Sequence, residues 1–154
     1  MNPNSHRVIQ PPLRGAIVEE ELSYGVVGGF YDTYNELGYG FSEPIYQRAL
    51  IITLEDRGFK VEREFPIDVH FRGVLIGHHR LDLLVNGRLI IEIKATDRLS
   101  DATKRQVRNY LAVSGLELGL ILHFGPQAKY YRVLAPRTIH PHQPIRANPS
   151  DSDA

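Results

Sequence analysis

Apolar residues recur at helical spacing over the first third of the chain and at strand spacing over most of the rest. Leu22, Val26, Phe30, Tyr34 and Leu37 fall every three or four positions, which predicts a helix from about 18 to 37. Gly28-Gly29 weakens that helix by about 1 kcal/mol per glycine relative to alanine, so another element is expected to pack closely there. Gly38 and Gly40 end it. Ser42 is placed to cap a second helix running to about Arg57, with Ile45, Tyr46, Ala49, Leu50 and Leu54 on one face and Gly58 at its end.

The period then changes to two. VEREFPIDVHF alternates, and Arg72-Gly73 can turn the chain into VLIGHH. RLDLLV and RLIIEIKA follow, joined by Asn86-Gly87, a strong hairpin signal. Ser100 caps a helix from about 101 to 113, ended by Gly115, and LGLILHF and KYYRVL close the pattern as strands. The predicted order is α-α-β-β-β-β-α-β-β, without an internal repeat. A helix between strands 88–95 and 118–124 permits a right-handed crossover. The fold class is therefore α/β (α+β), a mixed central β-sheet flanked by helices.

The 154 residues, 42% hydrophobic and 23% charged, suit one soluble domain with a real core. Residues 1–16, polar with Pro11-Pro12, read as a flexible segment, 17–135 as the domain, and 136–154 as a disordered tail with four prolines. His140 and His142 in that tail are better explained as solvated than as metal ligands. The formal net charge is zero, so no global field draws the protein to nucleic acid; any such binding needs a local basic patch. With no cysteine, disulfides, thiolate catalysis and Cys-zinc sites are excluded. The start MNPNSHRVIQPPLRG lacks the apolar core of a secretory signal, and no apolar run approaches the roughly 20 residues of a membrane span. The expected location is the cytosol.

The chemistry concentrates in RLDLLVNGRLIIEIKA. Glu92 and Lys94 are two apart on the most apolar strand and project from one face. Alone they would be a cross-face ion pair or the solvated face of an edge strand. Asp82 on the neighbouring strand changes the picture, because two carboxylates converging beside one lysine repel each other and are costly to bury without a cation. Mg²⁺ or Mn²⁺ would resolve the conflict, since such ions take hard oxygen ligands. Register tests the idea. A plain two-residue loop pairs Val85 with Arg88, and Asp82 then faces Ile91 and points away from Glu92. Convergence needs a shift by one, from a three-residue loop, a bulge or a bend near Asp82.

Two further stretches accompany these residues: Gly40-Phe41-Ser42-Glu43-Pro44-Ile45-Tyr46, a G-x-x-E-x-x-Y run, and Gln106-Val107-Arg108-Asn109-Tyr110, a Q-x-x-x-Y run. With Asp82 and Glu92-Ile93-Lys94 they resemble the bacterial GxxExxY family, a branch of the PD-(D/E)XK nuclease superfamily, over about residues 22–134. The resemblance implies a restriction-endonuclease-like PD-(D/E)XK core. It implies Asp82, Glu92 and the Ile93 backbone carbonyl as ligands of Mg²⁺ or Mn²⁺, with Glu43 completing the site. It implies that Lys94 polarises the attacking water, and that Gln106 and Tyr110 face the active site or the nucleic acid. The chain departs from the family pattern at Leu81, where proline is usual, at Thr103, where a histidine is frequent, and at LGYG in place of LGPG.

Simpler roles compete for several of these residues. Glu43 lies in a first helical turn, where the macrodipole favours a carboxylate anyway. Tyr46 is spaced for packing. Lys104, Arg105 and Arg108 can neutralise phosphates or form a solvated face. His78 and His79, adjacent on a strand, point to opposite faces and cannot share an ion, and His123 suits a core or edge position. There is no G-x-S-x-G elbow, P-loop or dinucleotide fingerprint. The expected function is a metal-dependent nuclease acting on nucleic acid, DNA above RNA, by metal-activated water. The alternative is a catalytically silent module of the same fold that binds nucleic acid or a protein partner. No membrane partner is expected. A homodimer would suit a small domain gripping a duplex, although no residue specifies one.

Overall fold

The computed structural model describes residues 16–136, with side chains from residue 19. The expected N-terminal segment and C-terminal tail, with His140 and His142, lie outside the described residues apart from their inner ends. Helices α1 (Ala16–Leu37) and α2 (Glu43–Asp56) precede strands β1 (Val61–Phe71), β2 (Val74–Val85) and β3 (Leu89–Lys94). Helix α3 (Asp101–Ser114) leads to β4 (Leu118–Phe124) and β5 (Ala128–Leu134). The sheet order is β1-β2-β3-β4-β5. Only β3 and β4 pair in parallel, through the α3 crossover; the other neighbours are antiparallel. No described helix is long and apolar enough to cross a membrane.

The expected order carried one strand too many. VLIGHH and RLDLLV form a single strand, because no turn residue separates His79 from Arg80 and β1 is long enough to pair with both halves.

Two apolar clusters sandwich the sheet. α1 and α2 cover Leu83, Val85, Leu89, Ile91, Ile93, Leu120, Leu122 and Phe124. The close approach expected at the paired glycines is present: a Cβ on Gly29 would come within 2.9 Å of the Leu54 side chain on α2. Tyr46, Leu50 and Leu54 are buried as the helical pattern predicts, but Ile45 is 44% exposed. Ile45 sits one position before Tyr46, about 100° round the helix, and that rotation takes it off the buried stripe. On the other face α3 contributes Val107, Tyr110 and Leu111 to a cluster with Leu84, Ile90 and Ile121. The Ser100 hydroxyl caps α3 by accepting the Ala102 N–H, and Gly115 ends it in the left-handed conformation.

Candidate functional site

The β2–β3 loop has three residues, Asn86, Gly87 and Arg88, and Val85 pairs with Leu89. Asn86 and Gly87 both have positive φ, 52° and 66°, as a tight right-twisting hairpin requires. Asn86 is also tied to β1: its side-chain oxygen accepts the Lys60 N–H and its own N–H donates to the Lys60 carbonyl, each at 2.8 Å. This loop supplies the shift by one that convergence needs. Paired numbers sum to 174, so Asp82 lies level with Glu92.

The ladder stops one step short of that pair, at Leu83↔Ile91. Beyond it β2 and β3 separate, and a side chain takes over from the backbone: the Ile93 N–H donates to Asp82 Oδ2 at 2.8 Å. The Asp82 carbonyl accepts instead from Gln47 Nε2 of α2 at 3.1 Å. One carboxylate oxygen of Asp82 is thus fixed by β3.

β1 is irregular at the same level. Arg63↔Leu83 and Phe65↔Leu81 are paired, but Glu64, opposite Asp82, is not, and its φ is 50°. A non-glycine residue in the left-handed region inside a strand stores strain of order 1–3 kcal/mol. The consequence reaches the core. Leu83 packs with α1 and α2, whereas Leu81, two residues away, packs with α3. Strand alternation would put both on one face, so both strands reverse their faces at the Glu64–Asp82 level.

Glu92 and Lys94 project on the face of Ile90, beneath α3. Glu92 is 5% exposed and lies 3.4 Å from the Lys94 ammonium. Burial, and then the Asp82 charge, push its pKa up to about 7 against the opposing pull of Lys94; Glu43 adds to the rise. Burial also raises Asp82, offset in part by the Ile93 N–H and by Lys94, while Glu64 adds to it. Glu43, at the start of α2, is raised by burial and by Asp82 and lowered by Lys94. Asp82, Glu92 and Glu43, with Glu64 beside Asp82, therefore share one neighbourhood with Lys94.

The G-x-x-E-x-x-Y run has a structural explanation. Gly40 has φ 114°, which side-chain-bearing residues rarely adopt. The buried Tyr46 hydroxyl donates to the Gly38 carbonyl at 2.5 Å and accepts the Phe41 N–H at 3.2 Å. Its ring stacks on Phe124 with centroids 4.3 Å apart. Tyr46 thus clamps the loop that starts α2 and aims Glu43. Four residues on from Glu43, one turn along the same side of the helix, stands Gln47. That spacing was the signal for Gln47, which the motif reading passed over. Glu64 had no such signal, because alternation alone reads it as an ordinary strand residue.

On α3, Gln106 Nε2 donates to the Tyr110 hydroxyl at 2.6 Å, and the Tyr110 ring lies 5.2 Å from that of His79 on β2. Tyr110 is 4% exposed, so its ring has no free face on which a base could stack. Its pKa is raised by burial, then by Glu92 and Asp82, which places the hydroxyl at the edge of the acidic site. Lys104 is not brought to that edge. Lys104 leans the other way, its ammonium 4.7 Å from the Tyr131 ring centre on β5, while Arg105 and Arg108 are exposed. Lys104 is two positions before Gln106, about 200° round the helix, which explains the divergence. His78 pairs with Asp68 at 2.6 Å while His79 meets Tyr110, so the adjacent histidines do take opposite sides. The buried His123, the β4 partner of Lys94, has its Nε2 2.5 Å from the Thr96 carbonyl.

The matched pieces are an acid at the head of α2, an acid where β2 leaves β3, and E-x-K on β3. The sequence profile described as the PD-(D/E)XK nuclease superfamily matches residues 20–133. The chain belongs to that superfamily. No curated protein is significantly similar to it. Among solved structures it is similar in fold to the crystal structure of SSO0001, at 22% identity and a TM-score of 0.51. That likeness covers 78% of this chain and 61% of the other, so the chain spans about three-fifths of SSO0001. The mixed sheet and flanking helices are the restriction-endonuclease-like arrangement of the superfamily.

The donor set of this PD-(D/E)XK chain suits a hard divalent cation. Among the described residues, no three His, Cys, Asp or Glu side chains stand close enough together to hold an ion by themselves. Asp82 and Glu92 do converge, with a peptide carbonyl of β3 between Glu92 and Lys94 and Glu43 nearby. Two carboxylates completed by carbonyl and water oxygens meet the needs of Mg²⁺ or Mn²⁺ without a third side chain.

Proposed function

We propose that the chain is a divalent-metal-dependent nuclease that hydrolyses phosphodiester bonds in nucleic acid, with DNA the favoured substrate. The observation that carries this reading is the fork at Asp82. There the loop register brings an acid of β2 level with a buried acid of β3, beside a lysine, where burial without a cation is unfavourable. The clamp around Gly40, Glu43 and Tyr46 supports placing the chain in the GxxExxY branch.

Asp82, Glu92 and the Ile93 carbonyl would hold Mg²⁺ or Mn²⁺, with Glu43 completing the site from α2. When bound, such an ion polarises a phosphoryl oxygen and lowers the pKa of water. The rest is the work of the chain. Gln47 and the Ile93 N–H fix the Asp82 peptide and carboxylate, so that the free oxygen is presented without reorganisation. Lys94, steered by Glu92, orients the attacking water and stabilises the negative charge that develops on the phosphoryl oxygens. Gln106, anchored through one amide hydrogen on Tyr110, keeps its remaining donor and its carbonyl for a phosphate or a water. Arg105 and Arg108, on the outer side of α3, add charge for nucleic acid that extends beyond the site.

The test is cleavage of plasmid and of single-stranded DNA in Mg²⁺, Mn²⁺ or EDTA, with Asp82→Ala and Lys94→Ala proteins purified in parallel. The reading requires cleavage that needs metal and disappears in both variants. Absence of cleavage by the wild type, with binding that ignores Asp82→Ala, would leave a silent binding module of the same fold.

A further inference from the structure

The long strand β2 does more than carry Asp82. Its partner β3 leaves at Leu83, so from Arg80 back to Val74 it pairs with β1 alone. Pro66 to Arg80 is therefore a two-stranded arm projecting from the fork. Its tip is a tight two-residue turn, Arg72 and Gly73, with φ of 51° and 77°. Around the turn stand Phe71, Val74, Leu75 and Ile76, respectively 57%, 62%, 42% and 62% exposed. The Arg72 guanidinium lies over the Phe71 ring, 5.0 Å from its centre. Contiguous apolar side chains at the end of a rigid projection are unusual on a monomer's surface and mark a contact site.

The charges on the arm indicate what it contacts. Between Pro66 and Arg80 the one acid, Asp68, is engaged by His78, while Arg72 and Arg80 are the two fixed cations. With histidines neutral the arm carries a formal charge of +1 on a chain of zero net charge. Strand addition by a second copy is disfavoured along β1, whose outer edge carries Pro66, which has no N–H, the kink at Glu64 and an irregularity between Val69 and His70. Four partly exposed side chains also fall well short of the roughly 800 Å² per partner of a standard interface. A two-stranded ribbon fits the major groove of a duplex, about 12 Å wide. Eight residues of strand separate Asp82 from Val74, about 26 Å, or about eight nucleotides of one strand.

We propose that this hairpin is a nucleic-acid-binding arm: it lies in the groove of a duplex engaged at the Asp82–Glu92 fork, and Phe71, Arg72 and Ile76 grip it about eight nucleotides from the scissile phosphate. The inference rests on the nucleic-acid part of the reading above, not on its catalytic part.

The test compares wild type with a Phe71→Thr/Arg72→Asn/Ile76→Thr protein on a 30-base-pair duplex. Asparagine suits the positive φ of the turn and threonine the strands, so the fold is kept. A second variant joins Ile67 to His79 through Asn-Gly and removes the tip outright. Affinity is read by fluorescence anisotropy, and the contact footprint by hydroxyl-radical protection. Both variants are expected to lose about tenfold in affinity and the outermost part of the footprint, with KM rising and kcat within twofold wherever cleavage is measured. That loss in a protein that cleaves nothing would uphold the arm and defeat the catalytic reading. Unchanged affinity and footprint in a protein that does cleave would overturn the arm and leave the nuclease standing. A dimer that becomes a monomer when the tip is altered, without loss of DNA affinity, would overturn it in favour of a second copy.

Discussion

Leu83 and Asp82 are neighbours on β2, and β3 receives them in different ways. At Leu83 the backbone ladder to Ile91 is closed, the Leu83, Ile91 and Leu120 side chains are apolar, and α1 and α2 seal the face. At Asp82 the ladder is open, the Asp82 carboxylate satisfies the Ile93 N–H in place of a carbonyl, and the Asp82 peptide turns to Gln47. β1 repeats the contrast, regular at Arg63 and left-handed at Glu64. Within one residue the sheet passes from a part that serves stability to a part that holds like charges together. In the proposed function the interruption is what makes the site: a ladder continued through Asp82 would occupy both of its backbone groups and keep β2 and β3 too close to admit a ligand.

The comparison is broken most severely by removing the acid at the fork. Asp82→Ala is expected to abolish metal-dependent cleavage by about 10³-fold or more, the scale of several kcal/mol of transition-state stabilisation. Removing Leu83 contacts by Leu83→Ala should instead cost about 2–5 kcal/mol of stability, read by urea unfolding. Activity measured well below the midpoint should fall far less.

Next is the charge on Glu92. Its folded pKa of about 7 stands above the ordinary value of 4.5, so the native carboxyl holds its proton more tightly than the unfolded one. That contribution is fully present below about pH 4.5 and is lost as pH rises through 7. Without metal, Glu92→Gln should therefore exceed wild type in stability at pH 8 by up to about 3 kcal/mol and match it near pH 4.5. Saturating Mg²⁺ should close the gap by stabilising the ionised wild type, which denaturation at both pH values with and without metal will check.

Gln47→Ala should lower kcat about 10- to 100-fold, the usual effect of losing a group that orients a ligand. The melting temperature should move little, since the freed Asp82 carbonyl can turn to water. The smallest effect sharpens the comparison from β1: Glu64→Gly relieves the left-handed strain and should raise stability by about 0.5–1 kcal/mol, after the entropy lost to glycine. An unfolding midpoint that falls instead would mean that the Glu64 side chain contributes more than its backbone costs.

Much of this was legible in the sequence because it rests on local rules. Helical spacing placed α1, α2 and α3, Gly28-Gly29 announced the approach of α2, and Asn86-Gly87 located the hairpin. The demand that Asp82 and Glu92 converge required a shifted register, and the three-residue loop supplies it. What escaped depends on how elements meet. VLIGHH and RLDLLV fuse because β1 is long enough to template both, which neither segment reveals alone. The direction of Lys104, away from Gln106, follows from helix rotation but matters only once β5 is known to lie on that side. Glu64 gives no sign of its positive φ, since the constraint comes from the reversal of faces it shares with Asp82.

The most direct test of the fork is Mn²⁺ binding, measured by calorimetry at pH 6.0 and 8.0 in two buffers of different ionisation enthalpy. One ion per chain is expected, with close to one proton released at pH 6.0 and almost none at 8.0, as the ion displaces the proton held by Glu92. Asp82→Asn, which keeps an acceptor for the Ile93 N–H, should still fold and should bind the ion far more weakly. An ion that binds Asp82→Asn as tightly as wild type, or that releases no proton at pH 6.0, would contradict the account.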